Sequence, residues 1–450
     1  MSNIIYFFRN ITLLINIASI VVYEYIKYKL CSDYNCFINN LLTKLSQKNI
    51  LYIKLFQACA LNNSIYNSSI MDNAINNKLI AFCDNAPWTE DDIDIETLCK
   101  LEEIYHISIL DKYKPINTGM ISLVYKAIMT GTNSAIALPT LGETIIVKIK
   151  RKHIELQLKY AIEQVLFCLS IIEYIPFINT YDFPAVMKKN INLITNQINF
   201  NAEIHNMDIF QTYCKGLKYI KIPQVYPEVT KQVNNVIIME FVNGKTLHNI
   251  DKADYIIYAK QLLKFVYFTT FLYGKYHGDL HMGNLLFLNE ADNPRLCILD
   301  FGIVYDLAQN KDGLFDIISS ILTDSPVELS HKILQSGFIE PVEAINSLKI
   351  EHYSNLISLL ARFIDKSIHI EKKLNHHNLF VFLSELNLYI RNIGKTYKNC
   401  SQIKLSYDLV QIQVCFAMIH GVILKLCIDE NYIEISDQVM RETFRLDLFN

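Results

Sequence analysis

Two short apolar runs separated by a polar turn form the most informative stretch of the chain. The runs are Leu285–Leu288 and Leu296–Leu299, and the segment between them is Asn289–Pro294. Strand-length apolar runs on either side of a turn predict a β-hairpin. Such a hairpin would bring Asn284, just before its first strand, close to Asp300, just after its second strand.

Strand and helix periodicities occur in separate blocks elsewhere. Thr144–Lys150 is a β-branched run of strand length, and Val236–Gly244 is an apolar strand followed by a linker. Beyond Tyr305 the apolar residues recur at helical spacing, which predicts a helical carboxyl-terminal region. The segments with this pattern are Leu314–Leu322, Pro326–Ser336, Val342–Ser347, Tyr353–Ile364, Leu379–Ile393 and Leu409–Cys427.

The first 30 residues are strongly apolar but are interrupted by Arg9, Asn10 and Asn16. The uninterrupted part, Ile17–Tyr23, is shorter than the roughly 20 apolar residues that a membrane span requires. A packed or membrane-surface helix is therefore favoured over a membrane span, and no signal-peptide cleavage site is evident. Polar residues within Leu409–Cys427 likewise predict a buried core helix.

Composition narrows the class of protein. The 450 residues correspond to about three domains. A hydrophobic fraction of 51% and a charged fraction of 19% exclude a disordered chain. The net charge of −3 and the lack of a basic patch argue against a nucleic-acid partner. The 11 cysteines lack zinc-site spacing and indicate reduced thiols in an intracellular protein.

Polar residues around the hairpin carry the chemistry. His277 precedes Asp279 by two residues, Asn284 follows before the first strand, and Asp300 begins an Asp-Phe-Gly triplet after the second. This order is typical of protein-kinase-like phosphotransferases. Asp279 would orient the acceptor and take its proton. Asn284 and Asp300 would supply oxygen ligands for Mg²⁺ on the phosphates of ATP.

The sequence HGDLHMGN, which includes Asp279, closely resembles the HGDLHPGN of UbiB-type atypical kinases, a family linked to coenzyme Q biosynthesis. The resemblance implies an α+β, two-lobed protein-kinase-like fold that binds ATP with Mg²⁺ and is linked to lipid or quinone metabolism. It predicts an amino-terminal helical extension at 1–110, a nucleotide-binding lobe at 111–245 and a large helical lobe at 246–450. A lipid-like ligand is a candidate partner, and the apolar amino-terminal segment is the candidate for membrane-surface association.

A departure from the family occurs in the extension. The segment KLFQ matches the family motif KxGQ at Lys54 and Gln57, with Phe56 in place of Gly. The resemblance implies that Lys54 and Gln57 lie near the nucleotide. The acidic pair of the family's E-x-D segment is replaced by the amides Gln197 and Asn199, which removes two charges that would hold the lysine.

The nucleotide lobe supplies the remaining candidates. Pro115–Ala127 is similar to the family's alanine-rich loop, and Gly119 lies in the turn that would approach the phosphates. Lys148 and Lys150 share a strand face because side chains alternate with period two. Spacing alone cannot choose between them. The resemblance favours Lys148 as the phosphate-contacting lysine.

The same resemblance assigns two acidic residues. Glu203 is the expected helical partner of Lys148, and Glu240 is predicted to be the first residue of the linker whose backbone binds adenine. Two alternatives stay open. One is a small-molecule phosphotransferase of the aminoglycoside or choline type, which has a similar catalytic loop. The other is an ATP-binding pseudokinase or scaffold, which the altered loop and the missing acids would suit.

Overall fold

The structure is a computed structural model. It describes residues 2–49, 51–52, 86, 88–131, 139–172, 191, 195–290, 293–307, 313, 316–317, 320, 324–366, 403–427 and 432–444. The chain divides into two compact units. Unit 1 comprises Met1–Asn206 and Pro223–Val242, and unit 2 comprises Met207–Ile222 and Asn243–Asn450. The three-part division at residues 110 and 245 stays a prediction.

An antiparallel sheet forms the centre of unit 1. Its order is β1-β3-β4-β6, and β2 pairs with β3 at one end. The strand predicted at Thr144–Lys150 is confirmed with the same bounds. The strands are β1 (Ile107–Ile109), β2 (Asn117–Thr118), β3 (Ser122–Met129), β4 (Thr144–Lys150) and, later in the chain, β6 (Val236–Glu240).

Alternation along these strands builds the core of unit 1. Leu123 and Tyr125 of β3 and Val147 of β4 are buried, and they pack against Leu98 and Leu101 of a helix from the extension. That helix begins after Asp94, whose carboxylate accepts a hydrogen bond from the Thr97 N–H at 3.1 Å. The helices of unit 1 are α1 (Ser2–Cys31), α2 (Tyr34–Ser46), α3 (Ile95–Tyr105), α4 (Ile154–Ile172) and, after Pro223, α6 (Pro227–Gln232).

The apolar amino-terminal segment forms α1, and ion pairs hold this helix against the rest of unit 1. Arg9 pairs with Glu163 of α4 at 3.0 Å. The buried Glu24 pairs with Lys44 of α2 at 2.6 Å. Within the part of the chain that the structure describes, one helical segment, Arg9–Cys31, is long and apolar enough to cross a membrane by length and composition. Its two ion pairs are what a helix packed on the protein would make.

Unit 2 contains the predicted hairpin, which the structure confirms. Strands β8 (Leu285–Glu290) and β9 (Asn293–Ile298) pair antiparallel with Leu285 opposite Ile298. β5 (Ile220–Lys221) adds to β9 in parallel. A separate pair joins β7 (Lys275–His277) to β10 (Val304–Asp306).

Helices surround these strands in unit 2. The helix α7 (Tyr255–Tyr267) precedes the candidate catalytic loop, residues 278–284, and continues into a π-helical turn, Phe268–Leu272. The predicted segment Leu379–Ile393 lies outside the described residues. The other helices are α8 (Pro326–Gln335), α9 (Val342–Asn346), α10 (Ile350–Ile364), α11 (Tyr407–Leu426) and α12 (Tyr432–Phe444), and a short pair, β11 (Ile339–Glu340) and β12 (Lys404–Leu405), completes the described elements.

One further helix, α5 (Phe200–Tyr213), begins in unit 1 and ends in unit 2. In unit 2, α8 begins with a capping box. The Ser325 hydroxyl accepts a hydrogen bond from the Glu328 N–H at 3.3 Å, and Glu328 accepts one from the Ser325 N–H at 2.9 Å. This reciprocal cap with Pro326 at the first turn satisfies amide groups that a helix leaves without partners.

Gly278 is required by packing at the point where β7 leads into the candidate catalytic loop. A Cβ at this position would lie under 3.0 Å from side-chain carbons of both Tyr305 and Ile303. We expect Gly278→Ala to lower the free energy of unfolding by about 1–3 kcal/mol through overpacking. Chemical denaturation of the purified protein measures this change.

Gly421 in α11 is the matched control, because nothing lies within 4 Å of a Cβ added there. Gly421→Ala is expected to raise the unfolding free energy by about 0.5–1 kcal/mol, since alanine loses less entropy in a helix. Equal effects of the two substitutions would contradict the packing argument.

Candidate active site

The predicted site residues of unit 2 gather around the start of the catalytic loop. β7 ends at His277, which pairs in register with Val304 of β10. The Gly278 N–H then donates to the carbonyl oxygen of Ile303 at 2.9 Å. This places Asp279 at the point where the chain leaves the sheet. Asp279 is buried, with 7% of its surface exposed.

His277 joins the loop to the Asp-Phe-Gly triplet. Its Nδ1 accepts a hydrogen bond from the Asp279 N–H at 3.1 Å, and its Nε2 lies in a short contact with the carbonyl oxygen of Asp300. A neutral imidazole that accepts at Nδ1 carries its proton on Nε2. Burial lowers the pKa of His277, which keeps the ring in this neutral form. One side chain therefore positions the backbones of both aspartates.

Asn284 is held by the same loop. Its side-chain Nδ2 donates to the carbonyl oxygen of Asp279 at 2.8 Å. Its own carbonyl accepts from the Leu299 N–H at 3.0 Å, one residue before Asp300. The predicted proximity of Asn284 to the start of the triplet is confirmed. With the amide nitrogen committed to Asp279, the Asn284 oxygen is the atom left to act as a metal ligand.

Asp300 has one carboxylate oxygen engaged locally, because Oδ1 accepts a hydrogen bond from the Gly302 N–H at 2.8 Å. Mg²⁺ binds oxygen ligands and is held by one or two protein carboxylates together with phosphate oxygens and water. A carboxylate beside an amide oxygen is a donor set of this kind. The chemistry of Asp300 and Asn284 therefore fits Mg²⁺.

His281 was missed as a site residue from the sequence. Its Nδ1 accepts from the Gly283 N–H at 3.1 Å, and its Nε2 lies 3.9 Å from Oδ1 of Asp279. The same Nε2 lies 3.2 Å from Nδ2 of Asn284, whereas its distance to the Asp279 carboxylate is too long for a direct hydrogen bond. The signal available was the second histidine of HGDLHMGN.

The phenylalanine of the triplet packs between two other site elements. The Phe301 ring lies 5.0 Å from the ring of Phe210 on α5 and 5.0 Å from the ring of His277. Phe210 also contacts Phe265 of α7, with ring centres 5.9 Å apart. Aromatic pairs at these separations add to the stabilisation from burial. They hold Phe301 fully buried and set the direction in which the triplet leaves the hairpin.

In unit 1 the structure distinguishes the two lysines that spacing could not. The Nζ of Lys148 lies 2.6 Å from Oε1 of Glu203, and both side chains are almost fully buried. The Nζ of Lys150 instead lies 3.0 Å from Glu155, whose side chain is 69% exposed. The expected pairing of Lys148 with Glu203 is therefore present. Its role on phosphate stays a prediction.

The turn that contains Gly119 differs from the expectation. The Gly119 N–H donates to the Ser122 carbonyl at 2.8 Å, so it is already engaged within the turn. The Gly119 carbonyl accepts two hydrogen bonds from Arg151, at 2.7 and 3.1 Å. A phosphate contact from the Gly119 amide would require breaking the turn. Arg151 was not among the residues singled out from the sequence.

The remaining candidates are placed as follows. Glu240 is the last residue of β6 rather than the first of the linker, which corrects the predicted boundary by one residue. The reason is that its N–H donates to the Gln224 carbonyl at 2.8 Å and its carboxylate accepts from the Gln224 N–H at 3.0 Å. Lys54 and Gln57 lie outside the described residues.

A comparison with known proteins identifies the domain type. Residues 96–328 match the ABC1 atypical kinase-like domain. The chain is 25% identical over 174 residues to the chloroplastic Protein ACTIVITY OF BC1 COMPLEX KINASE 8 of Arabidopsis thaliana, covering 37% of this chain and 22% of that protein. It is 25% identical over 334 residues to a Clostridium pasteurianum protein from the hydrogenase 1 5′ region, covering 71% of this chain and 55% of that one.

The solved complex of Rv3197 with erythromycin from Mycobacterium tuberculosis aligns with 86% of this chain and 90% of that chain, at a TM-score of 0.46 and 15% identity. A likeness this distant has no bearing on function. The α+β architecture and the matched domain together give the protein-kinase-like fold that the sequence predicted.

The buried ion pair makes a stability prediction. Glu203→Gln removes the Glu203 charge from beside the buried Lys148 ammonium group, and we expect the unfolding free energy to fall by about 3 kcal/mol or more. Glu96→Gln is the control, because Glu96 and its partner Lys100 are both exposed, and it should cost less than about 1 kcal/mol. Urea denaturation measures both. A similar small cost for the two variants would mean that the Lys148–Glu203 pair does not stabilise the fold.

Proposed function

This chain belongs to the ABC1 atypical kinase-like family, and we propose that it binds ATP with Mg²⁺ for phosphoryl transfer or for ATPase-coupled work. The resemblance to UbiB-type kinases is confirmed at this level, and the family supports a kinase-like, ATP-using role. The observation that carries the proposal is the hydrogen-bonded loop of unit 2. In that loop Asn284 Nδ2 bonds to the Asp279 carbonyl, and His277 contacts the carbonyl of Asp300.

Each residue has a separate task in this proposal. Asp279 orients the acceptor hydroxyl and takes its proton. Asn284 and Asp300 hold Mg²⁺, which supplies charge neutralisation on the phosphates. Lys148 acts as a point charge on phosphate, and Glu203 fixes its ammonium group. His277 is a positioning residue, because it contacts the backbones of the two aspartates rather than the reacting atoms.

We propose that the acceptor belongs to lipid or quinone metabolism, as the UbiB-type resemblance implies. A small-molecule phosphotransferase of the aminoglycoside or choline type is the alternative acceptor class. One observation favours a second function, an ATP-binding module without turnover. The Gly119 N–H is committed to Ser122, so the turn offers fewer amides to phosphate than a glycine-rich loop does.

The division of labour between the two aspartates tests the proposal. Asp279→Asn is expected to lower turnover by about 10²–10⁴-fold while ATP binding persists, because a general base acts on the acceptor. Calorimetric titration with MgATP and a phosphate-release assay measure binding and turnover separately. Binding by the wild type without turnover would favour the module without catalysis. Wild-type turnover that survives in Asp279→Asn would place the activity elsewhere.

Asp300→Asn is the companion variant, expected to abolish the Mg²⁺-dependent part of the ATP-induced melting shift. An amide is a weaker ligand than a carboxylate for a hard divalent cation. The melting shift with ATP alone and with ATP plus Mg²⁺ measures this dependence. An unchanged Mg²⁺-dependent shift in the variant would contradict the metal assignment.

We further propose that α1 lies on a lipid surface. Its apolar residues Ile15, Val22, Ile26 and Leu30 follow one another at helical spacing and are each more than half exposed, with exposed fractions of 62%, 56%, 54% and 80%. The ion pairs of Arg9 and Glu24 keep the opposite side of the helix on the protein. This arrangement favours a helix parallel to the surface over one that crosses the bilayer.

Vesicle flotation tests the lipid surface. Val22→Glu with Ile26→Glu should reduce binding to phosphatidylcholine–phosphatidylserine vesicles at least about tenfold, since two apolar side chains would no longer be buried in lipid. Ile104→Glu is the control, because Ile104 is an exposed apolar residue on α3. Equal binding by the double variant and the control would contradict the proposal.

A further inference from the structure

In the turn between β2 and β3, two backbone N–H groups have no hydrogen-bond acceptor among the residues that the structure describes. The Gly119 N–H bonds to the Ser122 carbonyl. The amides of Met120 and Ile121 donate no hydrogen bond to any residue that the structure describes. Backbone amides of folded proteins normally have an acceptor, in the protein, in water or in a ligand. These two N–H groups are therefore candidates for an external anion.

Arg151 contacts this turn with both its side chain and its backbone. The guanidinium Nε and Nη2 donate to the Gly119 carbonyl at 3.1 and 2.7 Å. The Arg151 backbone N–H donates to the Ile121 carbonyl at 2.8 Å. Arg151 is 5% exposed, and its Nη1 lies 3.0 Å from Oδ2 of Asp92. One residue thus holds the carbonyls on both sides of Met120.

Peptide geometry turns these contacts into a constraint on the amides. In a trans peptide the carbonyl and the following N–H point in opposite directions across one rigid plane. Because Arg151 holds the Gly119 carbonyl, the Met120 N–H must face away from Arg151. A two-pronged guanidinium contact fixes direction better than a single ammonium contact could. Arg151 therefore sets where the free amide of the turn points.

Asp92 in turn fixes the guanidinium. Its Oδ2 also accepts a hydrogen bond from the Thr89 N–H at 2.9 Å, and its carbonyl accepts from the Lys152 N–H at 2.8 Å. Asp92 is thus held at two points, through its carboxylate by Thr89 and through its main-chain carbonyl by Lys152. It supplies the counter-charge that a buried guanidinium requires.

We propose that Arg151 is a positioning residue for the nucleotide, which directs the Met120 amide towards the phosphates of ATP, and that Asp92 orients Arg151. The proposal rests on the ATP-binding function put forward above. It assigns the phosphate contact to Met120, with the Gly119 amide retained by the turn. Arg151 itself does not touch the nucleotide.

Arg151→Lys is the variant of choice, because lysine keeps the charge beside Asp92 but cannot make the two-pronged contact with the Gly119 carbonyl. We expect the Kd for MgATP to rise about tenfold, in line with the loss of a charge-assisted hydrogen bond. The Kd for adenosine, which lacks phosphates, should stay within about twofold. Asp92→Asn should show the same selective loss to a smaller degree, and Lys152→Gln, at the exposed neighbouring cation, should show none.

Equilibrium titration with MgATP and with adenosine separates the outcomes. A wild type that binds neither ligand overturns the ATP-binding function and this proposal with it. A wild type that binds MgATP, with unchanged MgATP affinity in Arg151→Lys, overturns the positioning role alone. An equal loss of affinity for MgATP and for adenosine in Arg151→Lys would mean that Arg151 supports only the fold.

Hydrogen exchange of backbone amides in the nucleotide-free protein tests the constraint on the turn without any ligand. Arg151→Lys should speed exchange of the Gly119 N–H, because the turn that protects it is no longer held, while the Lys148 N–H in the middle of β4 stays protected. Unchanged exchange at Gly119 would overturn the proposed constraint on the turn, whether or not the protein binds ATP.

Discussion

A buried neutral histidine is the contact on which the candidate active site depends. His277 accepts a hydrogen bond from the Asp279 N–H and contacts the carbonyl of Asp300, so it joins its own loop to a segment 23 residues further along the chain. Burial lowers its pKa, because the charged imidazolium would lose its solvation. A ring kept neutral preserves one donor and one acceptor, which this arrangement needs. Asp279 and Asp300, the proposed base and the proposed metal ligand, are thereby positioned through their backbones.

The hairpin between these segments makes that contact possible. β8 and β9 return the chain to its starting point, so Asn284 and Leu299 share a hydrogen bond next to Asp300. The Phe301 side chain then packs on Phe210 and His277. The packing of Phe301 therefore supports the polar residues of the site. Because Asp300 and Phe301 are neighbours in the triplet, a change in the polar contacts or in this packing would affect the other.

Buried charge is handled in the same way in unit 1. Lys148 has Glu203 and Arg151 has Asp92, and in each pair the cation is almost fully buried. Removing a buried charge from water is costly unless a counter-charge and hydrogen bonds are present. Both pairs are close to the strands and the turn proposed to meet the nucleotide. The desolvation cost of these two charges fits a need to fix the geometry of Lys148 and Arg151, and not only to stabilise the fold.

Local patterns were sufficient for much of the fold. The hairpin at Leu285–Leu299 and the strand Thr144–Lys150 follow from apolar runs, and α8 follows from the helical spacing of the apolar residues in Pro326–Ser336. The family and the kinase-like fold also followed from the short motif around Asp279, because the order of its residues is set by one chemistry. Each of these signals lies within a short stretch of consecutive residues, so it can be recognised without information about tertiary contacts.

The sequence by itself therefore determined the elements, the family and the identity of the motif residues. Strand periodicity could not choose between Lys148 and Lys150, because it places both on one face. The family resemblance favoured Lys148, and the tertiary structure shows that Lys148 is the lysine paired with Glu203. It also revealed that Arg151 holds Gly119 and Asp92, residues 32 and 59 positions away along the chain. Such pairings depend on how strands and loops pack in three dimensions, and no local pattern of residues encodes them.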